Sequence, residues 1–310
     1  MQKRFHKIYL LVLFIFPGIA LFSQVEETKS WSNLACEYTP ADQHNAALIR
    51  LQTQNDSIKQ SVLPAEIMRF PIRFGLVQKN SEEEAIQEIE LQRLVQNLNK
   101  AFEPVGFVFY LSQIDKINLD LSIEELSANS FNLYNNFSGE NDVADMITIY
   151  ILDHDKAFCT VEGNSISCGR TGGFSYILSE RANNVVLSRF DLTDLKIVAH
   201  EFGHFFGLFH TIEEHIFGKD AFEEGSCHQT GDRICDTPPD PGSLYEIYVN
   251  YSICEMIGFK DENGNEYKPL LDNYMSYYKP CYLKEYSFTP GQISAMQSAS
   301  QLKIRERLVR

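Results

Sequence analysis

Apolar and polar positions along this chain sort into a small set of elements. Residues 71–78, 107–111 and 146–152 are runs rich in β-branched and aromatic side chains and read as strands. Residues 175–178 and 184–188 are two shorter strand candidates. Between the first two runs, Leu91, Leu94, Val95, Leu98 and Phe102 recur at helical spacing. Ser81 with Glu84 forms a capping box that would open this helix, and Pro104 and Gly106 would stop it. A second helix is predicted to begin at Asp191, with Asp191 and Asp194 setting negative charge at its positive end. Its apolar positions are Leu195, Val198, Ala199, Phe202, Phe205 and Phe206, a surface wide enough to predict burial on most sides. Thr289-Pro290-Gly291-Gln292 supplies an N-cap, a proline at the first helical position and a capping-box glutamine, so a last helix should run to about Leu308. Residues 115–145 carry no clear pattern, and the chain beyond His210 is rich in turn formers. This order predicts an α+β domain with a cleft between two unequal lobes.

The second helix carries the chemistry. Residues 200 to 210 read His-Glu-Phe-Gly-His-Phe-Phe-Gly-Leu-Phe-His, and three of the chain's eight histidines lie there. His200 and His204 are four apart and project from one helix face. Gly207 can adopt the left-handed conformation that ends a helix, letting the chain turn back to deliver His210 as a third ligand. Three imidazoles with one open position describe a catalytic zinc site, and the whole pattern is a metallopeptidase motif. A buried helix with merely hydrogen-bonded histidines would explain one such residue but not three at these offsets. Glu201, beside the two helical ligands, is the expected general base for a zinc-activated water, and it argues against a site that only binds metal.

Residues 1–23 hold a basic start at Lys3, Arg4 and Lys7, an apolar run over 8–22 and a small residue at Ser23. This reads as a secretory signal peptide, being too short for a membrane anchor. No second long apolar run follows, so a soluble, secreted (periplasmic or extracellular) protein is expected. Residues 24–65 are polar and suit a leader or pro-segment, leaving 66–310 as the catalytic domain. Loss of the three basic residues moves the net charge from −15 to about −18. Phosphate would repel such a chain, which excludes nucleic acid as a partner and leaves proteins or peptides as substrates.

Seven cysteines in an exported chain predict disulfides and one thiol left over. Cys159 and Cys168 flank a turn sequence and would close a hairpin. Cys227, Cys235, Cys254 and Cys281 would form two bridges, in any of the three possible connectivities. Cys36 is then the odd one.

Four stretches resemble the pappalysin family of metzincin zinc peptidases, of the cytophagalysin and ulilysin type. They are His200 to Thr211, Gly231-Asp232-Arg233-Ile234-Cys235-Asp236-Thr237-Pro238, Asn273-Tyr274-Met275-Ser276-Tyr277, and Cys281 followed by Phe288-Thr289-Pro290-Gly291-Gln292. Their order and spacing agree with that family over about residues 65–305. The resemblance implies a metzincin-like zincin: a mixed twisted sheet and active-site helix in an upper lobe, and an irregular lower lobe with a Met-turn and C-terminal helix. It implies that Met275 lies beneath the imidazoles, that Tyr277 stabilises the oxyanion, and that Asp232, Ile234 and Thr237 hold calcium. It also implies that Cys36 could keep a zymogen latent by occupying the fourth zinc position. The cysteines after the motif depart from the ulilysin pattern. The resulting reading is a zinc-dependent endopeptidase; the alternatives are a zinc-stabilised binding module and a processing protease of narrow range.

Overall fold

The computed structural model describes residues 67–78, 86–118, 141–152, 158–162, 165–169, 173–175, 177, 183–212, 222, 227, 229–279, 281, 284–302 and 307–309. The signal segment, the leader and Cys36 lie outside the described residues.

Five strands form one mixed sheet: β1 (Met68–Gln78), β2 (Phe107–Asn118), β3 (Ile147–Leu152), β6 (Gly173–Ser175) and β7 (Asn184–Ser188). Their order is β2-β1-β3-β7-β6. The first four run parallel, and β6 alone is antiparallel, paired to β7. β4 (Phe158–Glu162) and β5 (Ser165–Gly169) form a separate hairpin that sets Cys159 opposite Cys168 in register. Their side chains lie outside what is described.

Parallel strands need crossovers, and helix α1 (Glu88–Phe102) makes the one between β1 and β2. It starts later than the Ser81 capping box predicts. Residues 86 and 87 are not helical, and the Glu90 carboxylate takes the Gln87 N–H at 2.8 Å instead. Pro104 and Gly106 end it as expected, Gly106 in the left-handed region. The apolar stripe Leu91, Leu94, Val95, Leu98 and Phe102 is buried against one face of the sheet, where Phe70, Ile72, Phe74 and Leu76 of β1 point. β2 runs well past Leu111 because its register with β1 continues to Asn118. On its outer side, Asn99 of α1 pairs with both backbone groups of Phe109 at 2.6 and 2.9 Å, covering part of an exposed edge.

Helix α2 (Leu195–Phe205) lies on the same face. Asp194 is its N-cap, accepting from the Lys196 and Ile197 amides. Asp191, the expected start, ends a separate short 3-10 turn (Arg189–Asp191). Phe202 and Phe206 interlock with Phe70, Phe102, Phe107 and Phe109, with the rings of Phe107 and Phe206 4.7 Å apart.

Among the described residues from 229 to the last helix, the regular elements are a 3-10 helix (Ser243–Tyr248) and a two-stranded ribbon of β8 (Val249–Asn250) and β9 (Glu255–Met256). The disulfides in this region are Cys227–Cys235 and Cys254–Cys281. Helix α3 (Pro290–Ser300) carries the predicted Thr289–Gln292 capping box but stops at Ser300, short of Leu308. There the Ser300 hydroxyl bonds the Gln297 carbonyl at 2.7 Å, a local competitor for the helical ladder. Asp236 ties this helix to the preceding loop, accepting from the Thr289 hydroxyl and the Gly291 amide, both at 2.7 Å.

Candidate metal centre

His200 and His204 leave α2 on one face, buried. The helix ends at once: Gly207 has φ 90°, its N–H meets the His204 carbonyl at 2.8 Å, and the Leu208 N–H meets the Gly203 carbonyl at 2.9 Å. This is a Schellman closure, and glycine serves it because a Cβ disfavours that backbone conformation. The returning chain then sets His210 against the other two. The three Nε2 atoms converge, with His204 3.0 Å from His200 and 2.9 Å from His210.

The outer nitrogens decide what this convergence means. His200 Nδ1 lies 2.7 Å from the Tyr274 carbonyl, and His204 Nδ1 lies 2.8 Å from that of Leu208. A carbonyl can only accept, so both Nδ1 atoms carry the proton. Burial, helped by the neighbouring imidazoles, holds both rings well below the usual histidine range and therefore neutral. Their Nε2 atoms then offer lone pairs to each other at 3.0 Å, an arrangement that calls for a shared cation. A tetrahedral zinc with bonds of about 2.0–2.1 Å would space its nitrogens roughly 3.3 Å apart, close to what is found. Among the described residues, no other group of three or more His, Cys, Asp or Glu side chains converges as a metal site would require. The donor set fits zinc.

Glu201 is 3% exposed, and its Oε2 has no hydrogen-bond partner among the described residues. Burial pushes its carboxyl well above the ordinary range. A nearby cation would act in the opposite sense. Gly173 of β6 makes room for it: a Cβ there would stand 2.9 Å from Glu201 Cγ and 2.7 Å from the Val186 carbonyl oxygen. The Tyr277 hydroxyl is 2.6 Å from His210 Nε2. Met275 is fully buried, its amide held by Asn273 Oδ1 at 2.9 Å and its carbonyl by the Thr211 amide at 3.2 Å.

The sequence-predicted residues His200, His204, His210 and Tyr277 thus come together, with Met275 packed against α2. Asp232, Ile234 and Thr237 form a second, separate knot. The Thr237 hydroxyl lies 2.7 Å from Asp232 Oδ1 and 2.5 Å from the Ile234 carbonyl. Sequence reasoning passed over Gly203, Gly173 and Lys196. A Cβ on Gly203 would overlap the Met275 sulfur. Lys196 bonds the Tyr278 carbonyl and sits over the Tyr286 ring, and burial pushes its amine down to about 8. These are contacts between distant segments, and only the glycine inside the motif left any local mark.

Parts of this chain are similar to known proteins. Residues 183–301 match the sequence model of the M43 peptidases, described as pregnancy-associated plasma protein-A. An extracellular metalloprotease of Arthroderma gypseum is 33% identical, over 35% of this chain and 30% of its own. An extracellular metalloprotease of Arthroderma otae is 29% identical, over 33% of this chain and 37% of its own. The chain therefore spans about a third of the length of the curated relatives it matches. Metalloproteinase-II from Bacteroides fragilis, a solved structure, is similar over 54% of this chain and 52% of its own, with 15% identity and a TM-score of 0.32. Residues 183–301, which hold the histidine helix and the buried methionine against it, are thus similar in sequence to the pappalysin-type metzincin peptidases.

Proposed function

We propose that this protein is a secreted zinc-dependent endopeptidase. The observation that carries the reading is the meeting of three Nε2 atoms, two of them in a fixed tautomer, with a buried carboxylate on the same helix and a tyrosine hydroxyl at the third ligand. His200, His204 and His210 would hold the ion. When bound, zinc would supply the positive charge that acidifies water and polarises the scissile carbonyl.

The chain's own residues do the rest. Glu201 takes the proton from the attacking water at its unpartnered Oε2 and passes it to the leaving amine. The Tyr277 hydroxyl donates to the carbonyl oxygen as it gains charge. The Tyr274 and Leu208 carbonyls hold the rings of His200 and His204 in place, and Met275 closes the space beneath them. Burial around Glu201 excludes bulk water from the proton it carries.

The signal segment 1–23, the leader 24–65 and latency through Cys36 belong to the same reading. No described helix is long and apolar enough to cross a membrane. Calcium at Asp232, Ile234 and Thr237 is part of the same reading, and the Thr237 hydroxyl lies 2.7 Å from Asp232 Oδ1 and 2.5 Å from the Ile234 carbonyl. A calcium-dependent rise in melting temperature would test that ion.

The decisive experiment is cleavage profiling of a diverse peptide library by mass spectrometry. The wild-type protein should cut it, a chelator should abolish cutting, and Glu201→Ala should retain zinc without cutting. Zinc-loaded wild-type protein that cuts nothing would overturn the reading in favour of a binding module.

A further inference from the structure

His210 and Tyr277 touch, yet they come from segments 67 residues apart. What fixes their separation lies one residue behind each. Thr211 follows His210, and its hydroxyl donates to Asp240 Oδ2 at 2.7 Å. Tyr278 follows Tyr277, and its hydroxyl donates to Asp240 Oδ1, also at 2.7 Å. The carboxylate itself is held by the Gly242 amide, 2.9 Å from Oδ1. All three side chains are buried, with Thr211 and Tyr278 at 2% and 0% exposure and Asp240 at 7%. Two further bonds run along the same seam: Lys196 to the Tyr278 carbonyl, and the Thr211 amide to the Met275 carbonyl.

We propose that Asp240 is a positioning residue for the metal centre, its two oxygens fixing Thr211 and Tyr278 and thereby the contact between His210 and Tyr277. The proposal rests on reading His210 as a ligand and Tyr277 as the oxyanion donor. Its physical basis is the chemistry of a carboxylate. An ionised Asp presents an acceptor on each oxygen, so both hydroxyl bonds are charge-assisted and therefore short and directional. Asparagine has nearly the same shape but offers one acceptor and one donor, so one hydroxyl must turn to accept and a charge-assisted bond becomes a neutral, weaker one. A buried carboxylate is costly unless fully bonded, and here three donors meet it. The segment after the third ligand is thus tied to the Tyr277 segment by a buried carboxylate bridge, alongside the Thr211–Met275 backbone bond.

The test uses the zinc-loaded mature enzyme in two backgrounds, wild type and Tyr277→Phe. In the wild type, Asp240→Asn should lower kcat by about tenfold while KM moves less than about twofold. In Tyr277→Phe, where the contact it supports is already lost, Asp240→Asn should change kcat by less than about twofold. Cobalt(II)-loaded protein gives a readout free of turnover. Asp240→Asn should shift the visible bands in the direction that Tyr277→Phe does, and the double variant should shift them no further. Equal loss of kcat in both backgrounds, or a cobalt spectrum that Asp240→Asn leaves untouched, would overturn the proposal. Should Asp240→Asn fail to fold, Tyr278→Phe removes one arm alone and is read the same way. Wild-type protein that turns over no peptide sinks the peptidase reading, and the cobalt spectra then decide the role of Asp240 alone.

Discussion

The sulfur of Met275 occupies the space that a side chain at Gly203 would need. The glycine lies inside the histidine motif and the methionine 72 positions later, fully buried. The close approach of α2 to the segment beneath the imidazoles depends on that missing Cβ.

Gly203→Ala should therefore destabilise the zinc-loaded protein by about 1–3 kcal/mol, the usual cost of overpacking. In an unobstructed helix the same change stabilises by about 1 kcal/mol, so the sign is diagnostic. Urea unfolding measures it. Shortening Met275 to Ala alongside should recover part of the loss.

Gly207 has φ 90° in the turn that returns His210 to the site. Gly207→Ala should cost about 1–2 kcal/mol of stability, and Gly207→Asn less, since asparagine tolerates the left-handed region. Zinc affinity measured by competition with a chromogenic chelator should fall in the same order. Equal affinity in all three proteins would show that His210 is placed by other contacts.

Lys196 gives a pH signature. Burial lowers its amine from 10.5 to about 8. Between those values the folded protein has released a proton that the unfolded chain still holds. Stability from this group therefore rises with pH across that window, and below it the cost of burying the charge is fully present. Lys196→Met should flatten the rise by on the order of 2–3 kcal/mol. The difference between the wild-type and variant unfolding curves, taken from pH 7 to 10.5, checks this. A difference that does not change with pH would contradict it.

The Cys254–Cys281 bridge spans 27 positions and shares a buried cluster with Tyr278. Replacing both cysteines by serine should cost about 3–4 kcal/mol through the freed unfolded chain. Because Tyr278 adjoins Tyr277, kcat should fall as well. The Cys227–Cys235 bridge closes a loop of only 8 positions, and its loss should cost less.

Local signals in the sequence carried the elements with chemical markers. Thr289 sits at the helix start it predicts, and β7 has the bounds its β-branched run suggests, whereas α2 is capped by Asp194, three residues after the expected Asp191. Errors arose where a distant partner decides. Ser81 and Glu84 have the right spacing for a cap, but α1 starts at Glu88, with Glu90 closing on Gln87. β2 extends past Leu111 because β1 is there to pair with it. Within the site, the convergence of the three histidines was legible because helical spacing brings His200 and His204 close and Gly207 marks the turn that returns His210. Asp240 was not, for a single aspartate in a Pro-rich loop looks like any turn former until Thr211 and Tyr278 are seen on either side of it. The pairing of the lower cysteines was equally silent.

The turn from Gly207 to His210 supplies two things at once. Leu208 gives its carbonyl to His204 and its amide to Gly203, and the chain that does so ends on His210. The interval between the second and third histidines is therefore a helix-termination code as much as a metal code. One residue more or less would unsettle the second ligand along with the third, so the interval cannot drift while the ligands stay fixed. A spacing that looks like a rule of coordination chemistry is enforced, first of all, by backbone hydrogen bonds.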